Sequence, residues 1–255
     1  MSLPKVFQVV AGTVVTALAV TVNAQPMNLP ATLRPVKFEA RVTKEIALNY
    51  LLYLPKDYRP QGEQRWPLIL FLHGAGERGT NLALVAKHGP PKRVAEGREF
   101  PFIIVSPQCP LTQSWDDDAV LALLDRVIAD YRVDRARIYL TGLSMGGYGT
   151  WSLAVNHPER FAAAAPVCGG GNGIDVLLAE GARKRALQSL PIWAFHGAKD
   201  PVVPVSESER MLAVLKRAGC TNAQLTVYPE AEHDSFTETY NNPKLFDWFL
   251  EHQRK

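Results

Sequence analysis

Cysteine is scarce in this chain: 255 residues hold three, Cys109, Cys168 and Cys220. An odd count allows at most one pair and leaves a thiol free, so no disulfide framework is expected. None stands in a Cys-x-x-Cys or Cys/His spacing, so no zinc site is expected, and each reads as a small buried hydrophobe. Charge of one sign is equally short. The formal net charge is +3 with no dense Lys/Arg block, which gives no case for a nucleic acid partner. A Gly-x-x-x-x-Gly-Lys phosphate loop, an internal repeat, a low-complexity tract and a second-domain boundary are also missing. No metal or cofactor is expected. The partner that remains is a small molecule or the end of a neutral polymer.

Long apolar runs are absent except at the start. Lys5 is followed by a mostly apolar run from Val6 to Val22 and then by Val22-Asn23-Ala24. A basic n-region, an apolar h-region and a small-residue cleavage signature predict a signal peptide over residues 1–24, removed before Gln25. The run is short for a span of about 20 residues and is diluted by Gln8, Gly12 and threonines, which argues against a membrane anchor. No cysteine stands at the cleavage point, so lipid anchoring is not expected. The expected product is exported, periplasmic or secreted, with residues 25–255 as a single catalytic domain and no stable membrane association. That length suits one α/β domain.

What is present is a series of short strands. "VKFEARVT" (Val36–Thr43) alternates with period two and predicts a half-buried strand partnered by "LNYLLYLP" (Leu48–Pro55). Continuous apolar runs follow at Pro67–Gly74, Phe102–Gln108, Arg137–Gly142, Ala162–Gly169, Pro191–Gly197 and Gln224–His233. Such runs are what a parallel sheet covered on both faces requires. Between them, Val120, Leu123, Leu124, Val127, Ile128 and Tyr131 share one helical face behind an aspartate cluster. Ser206-Glu207-Ser208-Glu209 reads as a capping box for a helix that stops at Gly219, and Asn242-Pro243 opens a last helix. The alternation predicts an α/β fold with a mostly parallel sheet, an antiparallel N-terminal start and helices on both faces.

One stretch carries chemistry. "YLTGLSMGGYGTW" (Tyr139–Trp151) places Ser144 among four glycines, between a predicted strand and a predicted helix over Met145–His157. Gly142-Leu143-Ser144-Met145-Gly146 fits G-x-S-x-G in that context, where the turn is strained and close backbone approach leaves no room for side chains. A serine hydroxyl needs a base, and the base needs an orienting acid. Downstream, Asp200 follows one strand in "FHGAKDPVVP" and His233 follows the next in "YPEAEHDSF", both at C-terminal strand ends where open α/β sheets build sites. Asp234 is a rival acid but is adjacent to His233 in sequence. His196 reads as shaping the turn that presents Asp200. In "FLHGAGERG" (Phe71–Gly79), the expected oxyanion-hole donors are the backbone N–H groups of Ala75 and, after the serine, Met145. His73 reads as fixing that loop. Glu77 and Arg78 read as a local ion pair or as a substrate contact.

"HGAGERG", "PQCP…W", "GLSMGGYGTW", "PVCGGG", "HGAKDPVVP" and "YPEAEHDSF" together resemble the α/β-hydrolase esterases labelled predicted peptidases, a group related to dienelactone hydrolases, polyhydroxyalkanoate depolymerase-like and feruloyl-esterase-like enzymes. The resemblance runs from about Leu51 to the C-terminus. It implies the α/β-hydrolase fold, Ser144, Asp200 and His233 as a triad, and tryptophan rather than Phe236 three residues after the histidine. Only Gly169 to Leu190 separates Cys168 from the next strand, room for one short helix and no cap domain. An uncovered site favours short acyl groups or exposed ends of larger molecules. Trp115, Glu77, Phe236 and Cys168 are the candidate pocket residues, and Cys109 and Cys168 are left unpaired. The leading expectation is a serine carboxylesterase for short-chain or aromatic acyl esters. A peptidase or acyltransferase using the same triad, and a non-catalytic binding protein, are the alternatives.

Overall fold

Residues 32–254 are described in the computed structural model of this chain. The chain divides into two units, Met1–Lys44 and Glu45–Lys255. The signal-peptide expectation lies outside the described residues. In the first unit, Val36–Thr43 forms no strand, and Val36, Phe38 and Val42 are 87–88% exposed. A period of two decides which side chains share a face. It does not supply a ladder partner, and among the described residues the segment has none.

The second unit is one seven-stranded sheet: β1 (Tyr50–Tyr53), β2 (Trp66–Leu72), β3 (Ile103–Pro107), β4 (Val133–Leu143), β5 (Ala163–Val167), β6 (Ile192–Gly197) and β7 (Ala223–Tyr228). Their order is β1-β3-β2-β4-β5-β6-β7. β1 pairs antiparallel with β3, Leu52 opposite Val105, in place of the expected pairing with Val36–Thr43. All other neighbours are parallel.

Alternate strand residues feed two cores, as the pleat dictates. Leu68, Leu70 and Leu72 of β2 join Val120, Leu124 and Val127 of α2 (Asp117–Asp130), Trp151 of α3 (Met145–Asn156) and Met211 and Leu215 of α6 (Ser206–Arg217). Ile69 and Phe71 join Tyr240 of α7 (Ser235–Asn241) and Leu245, Phe246 and Phe249 of α8 (Pro243–Leu250). Both faces are therefore covered, which is why β2, β3 and β5 are buried along their whole length. Burying one such leucine or phenylalanine contributes about 1.5–3 kcal/mol.

Several helix starts carry a side-chain cap, but the one with the strongest sequence signal does not. Asp116 Oδ1 accepts the Ala119 N–H and caps α2, and Asn242 Oδ1 accepts the Lys244 N–H and caps α8. The capping box at Ser206 is not realised. Ser206 is already helical, and Val205, with helical dihedrals, precedes it without a side-chain cap. Gly219 ends this region with φ +85. Two short helices, α4 (Gly173–Leu177) and α5 (Gly181–Ser189), replace the single one expected between β5 and β6, because Gly181 turns the chain with φ +55. Neither the short α1 (Gly89–Ala95) nor α7 figures among the sequence expectations. No helix among the described residues is long and apolar enough to cross a membrane.

Candidate active site

The site grows from the junction of β4 and α3. A Cβ on Gly146 would lie 1.9 Å from Leu72 O, one on Gly142 2.4 Å from Gly146 O, and one on Gly147 2.5 Å from Val167 O. The first turn of α3 therefore rests directly on strand backbone, and only glycine fits. Ser144, at the apex, has φ 54 and ψ −118, a strain of order 1–3 kcal/mol. Its N–H donates to Val167 O at 3.0 Å, tying the strained turn to β5.

Ser144, His233 and Asp200 come from three different strand ends and meet. Ser144 Oγ lies 3.0 Å from His233 Nε2, and His233 Nδ1 lies 2.8 Å from Asp200 Oδ2. Asp200 is held from the other side: its Oδ1 accepts the N–H groups of Val202 and Val203, each at 2.9 Å. Burial alone would raise the Asp200 pKa, but the His233 hydrogen bond and the Val203 and Val202 amides outweigh it and hold the carboxyl below its ordinary value. His196 is fully buried between Ser208 Oγ (2.7 Å) and Val203 O (2.9 Å), where it fixes the turn carrying Asp200. Asp234 caps α7 by accepting the Thr237 N–H and takes no place in the relay.

Opposite the serine, β2 runs into a 3-10 turn, Ala75–Glu77. Ala75 and Met145 each open a helical turn, so their N–H groups have no intrahelical acceptor and are free to point outward. A Cβ on Gly74 would lie 2.9 Å from Leu143 Cδ1 and 3.5 Å from Ser144 Cβ, so this loop closes onto the nucleophile. His73 holds it from within. Its Nδ1–H donates to Gly74 O at 2.6 Å and its Nε2 accepts the Cys109 N–H at 2.9 Å, and burial lowers its pKa. Arg78 ties the loop outside, donating to Ala75 O and Gln113 O. It makes no pair with Glu77, contrary to the ion-pair expectation. Glu77 is buried instead, with His88 Nε2 3.7 Å from its Oε1.

The candidate pocket residues separate. Phe236 lies edge-on to the His233 ring at 6.4 Å and to His88 at 4.8 Å, and so flanks the base. Trp115 turns toward the scaffold: its Nε1–H donates to His73 O at 3.0 Å and its Cβ packs against Gly149. Cys168 is fully buried, with φ 39 and its thiol pushed up to about 12 by burial, so it offers substrate no surface. Cys109, Cys168 and Cys220 are all free. Sequence reasoning missed His88, whose "KHGPP" context carries no catalytic spacing, and the Val202 and Val203 amides, which no side-chain pattern announces.

A cleft of about 920 Å³, lined by Arg185, Pro191 and Asn222 among others, opens at the N-terminal ends of β5 to β7, the ends opposite Ser144. The reacting groups lie elsewhere, with Ser144 half-buried and Ala75 exposed. Among the described residues no cap domain covers them. A serine on a strained strand–helix turn, within reach of a carboxylate-held histidine on a mostly parallel sheet, defines the α/β-hydrolase fold. The dienelactone hydrolase family model matches residues 108–248, and the chain belongs to that family. It is similar to the bifunctional acetylxylan esterase/xylanase XynS20E of Neocallimastix patriciarum, 30% identical over 168 residues, covering 63% of this chain and 22% of that protein. It is also similar to feruloyl esterase B of Neurospora crassa, 28% identical over 117 residues, covering 40% of this chain and 38% of that one. The solved structure of a thermostable esterase superposes with TM-score 0.68 at 34% identity, covering 81% of this chain and 60% of that chain. The chain thus spans less than two thirds of each of these relatives' own length.

Proposed function

We propose that the chain hydrolyses carboxylic esters of short-chain or aromatic acids through an acyl-enzyme on Ser144. The 3.0 Å contact between Ser144 Oγ and His233 Nε2 carries this reading, because it supplies the base a serine hydroxyl needs. In the first half-reaction His233 Nε2 takes the Ser144 proton as Oγ attacks the ester carbonyl. Asp200 keeps the other ring proton on Nδ1 and stabilises the imidazolium. The Ala75 and Met145 N–H groups receive the oxyanion. His233 then protonates the leaving alcohol, and its free Nε2 activates water to release the acid. Each oxyanion donor is worth about 3–4 kcal/mol in such sites.

The acyl preference rests on the uncovered site and on relatives named for acetylxylan and feruloyl esters. Phe236, beside the base, is a flat apolar wall for an aromatic acid. An exported enzyme, made as residues 25–255 after removal of residues 1–24, suits a polymer-end ester.

The test is a series of 4-nitrophenyl esters, acetate to decanoate, offered to the chain starting at Gln25 and to its Ser144→Ala variant. Rates should fall with acyl length and drop about 10⁶-fold in the variant. A folded wild-type enzyme inert on every ester, or an active Ser144→Ala enzyme, refutes the proposal.

A further inference from the structure

One carboxylate beside the relay has no task in the hydrolysis above. The Glu77 side chain is only 5% exposed, yet among the described residues no hydrogen-bond donor meets its oxygens. His88 Nε2, at 3.7 Å, is beyond hydrogen-bond reach. Arg78, its neighbour in sequence, spends its guanidinium on Ala75 O and Gln113 O. Only the Glu77 backbone is secured, its carbonyl accepting Gln108 Nε2–H at 2.8 Å. The carboxylate oxygens are not among the fully buried atoms that lack a partner, so they keep some contact with solvent, from which a ligand can supply a donor.

Its place makes that ligand the substrate. The point a Cβ on Gly74 would occupy lies 3.3 Å from Glu77 Oε2 and 3.5 Å from Ser144 Cβ, with Leu143 Cδ1 filling it at 2.9 Å, so carboxylate and nucleophile are close neighbours across Gly74. Next along the loop, a Cβ on Gly76 would meet nothing within 4 Å. His88 is equally idle. Its Nδ1 is buried without a partner, and its ring lies against Phe236, which in turn lies against His233. Burial lowers the His88 pKa, so that ring is not a source of positive charge for Glu77 at neutral pH.

We infer that Glu77, backed by His88, is a specificity-determining subsite that accepts a hydrogen bond from a hydroxyl group carried by the ester substrate close to its scissile bond. The inference rests on the proposed hydrolysis at Ser144 and deepens it. An anionic group would be repelled by Glu77 itself. An ammonium group would lie in the field of Lys87 and Lys92, which act on His88, and of Arg78, which acts on His73, offset in part by Asp234. A neutral hydroxyl is the donor that fits both.

The hydroxyl can belong to the acid or to the alcohol, and matched pairs separate the two. One pair is 4-nitrophenyl 3-hydroxybutyrate against 4-nitrophenyl butyrate, the other glycerol 1-acetate against propyl acetate. The wild-type enzyme should favour the hydroxylated member of one pair by about tenfold or more in kcat/KM, the size of one charge-assisted hydrogen bond. Glu77→Gln, which keeps the shape, should reduce that ratio several-fold. Glu77→Asp, which withdraws the carboxylate by one methylene, should lower it as well and stands in if the glutamine variant does not fold. Only the ratio within a pair is read, so a general loss of activity cancels. No wild-type preference in either pair, or a ratio that survives both substitutions, overturns the subsite while leaving ester hydrolysis intact. A folded enzyme that turns over no member of either pair refutes the serine esterase reading, and the subsite falls with it.

Discussion

Asp200→Asn isolates the electrostatic part of the relay from its geometry. Asparagine has the shape of aspartate but one acceptor oxygen and one donor nitrogen. In this structure Oδ1 already accepts two amide hydrogens, from Val202 and Val203 at 2.9 Å each. The carbonyl oxygen of asparagine therefore belongs at that position, and its NH₂ must face His233 Nδ1. Two donors cannot share that contact, so the imidazole changes tautomer and carries its proton on Nε2, 3.0 Å from Ser144 Oγ. The base then has no lone pair for the serine. Loss of the correct tautomer in such a triad costs about 10⁴-fold in kcat, or about 5 kcal/mol. Both amide hydrogen bonds survive, so the folded state should be retained and KM should move little. Steady-state kinetics at fixed pH, with a melting curve of the same preparation, would decide. A folded Asp200→Asn enzyme within tenfold of wild-type kcat would refute this account of His233 and Asp200.

Further expectations concern packing and protonation. Gly146→Ala should destabilise by about 3 kcal/mol or more, because its methyl would lie 1.9 Å from Leu72 O and neither backbone can yield; urea unfolding reads this, and an unchanged midpoint contradicts it. Trp115→Phe keeps a ring against Gly149 but removes the donor to His73 O, so kcat should fall several-fold with little change in KM, the sign of a displaced oxyanion loop; equal kcat would show that the bond positions nothing catalytic. Stability should also decline as pH falls below about 6.5, since His73 and His88 have lowered pKa values in the fold and the unfolded chain takes up their protons first. Asp200 adds a second loss at lower pH: its depressed pKa stabilises the fold above the ordinary aspartate value of about 3.9, and that contribution disappears as pH falls through the folded value. Melting temperatures between pH 2 and 8 test both signs, and a flat profile would refute them.

What could be read in the sequence follows a physical division. Ser144 was legible because the demand for glycine falls on a few consecutive residues, even though the clashes that impose it at Gly146 and Gly147 come from Leu72 and Val167 on the neighbouring strands. Asp200 and His233 were legible because a parallel sheet delivers all its C-terminal ends to one edge, so that order along the chain becomes proximity in space. Pairing was not legible. "VKFEARVT" has a strand's alternation and no ladder, whereas β1 finds its partner in β3, about fifty residues away. Trp115 looked like a pocket wall until the direction of its indole N–H was known, and that direction depends on a carbonyl 42 residues earlier. Glu77 sharpens the point. Beside Arg78 it reads as half of an ion pair, but both arginine contacts go to backbone oxygens and the carboxylate is turned inward toward Gly74 and His88. Adjacent opposite charges are the easiest pattern to see and among the weakest to rely on, since an exposed pair contributes about 0–1 kcal/mol and loop closure outbids it. A largely buried carboxylate that no side-chain donor reaches cannot be recognised from residue types, because it is defined by who fails to reach it. In this chain the failure lies beside the nucleophile, the one place where a bound ester would make it good.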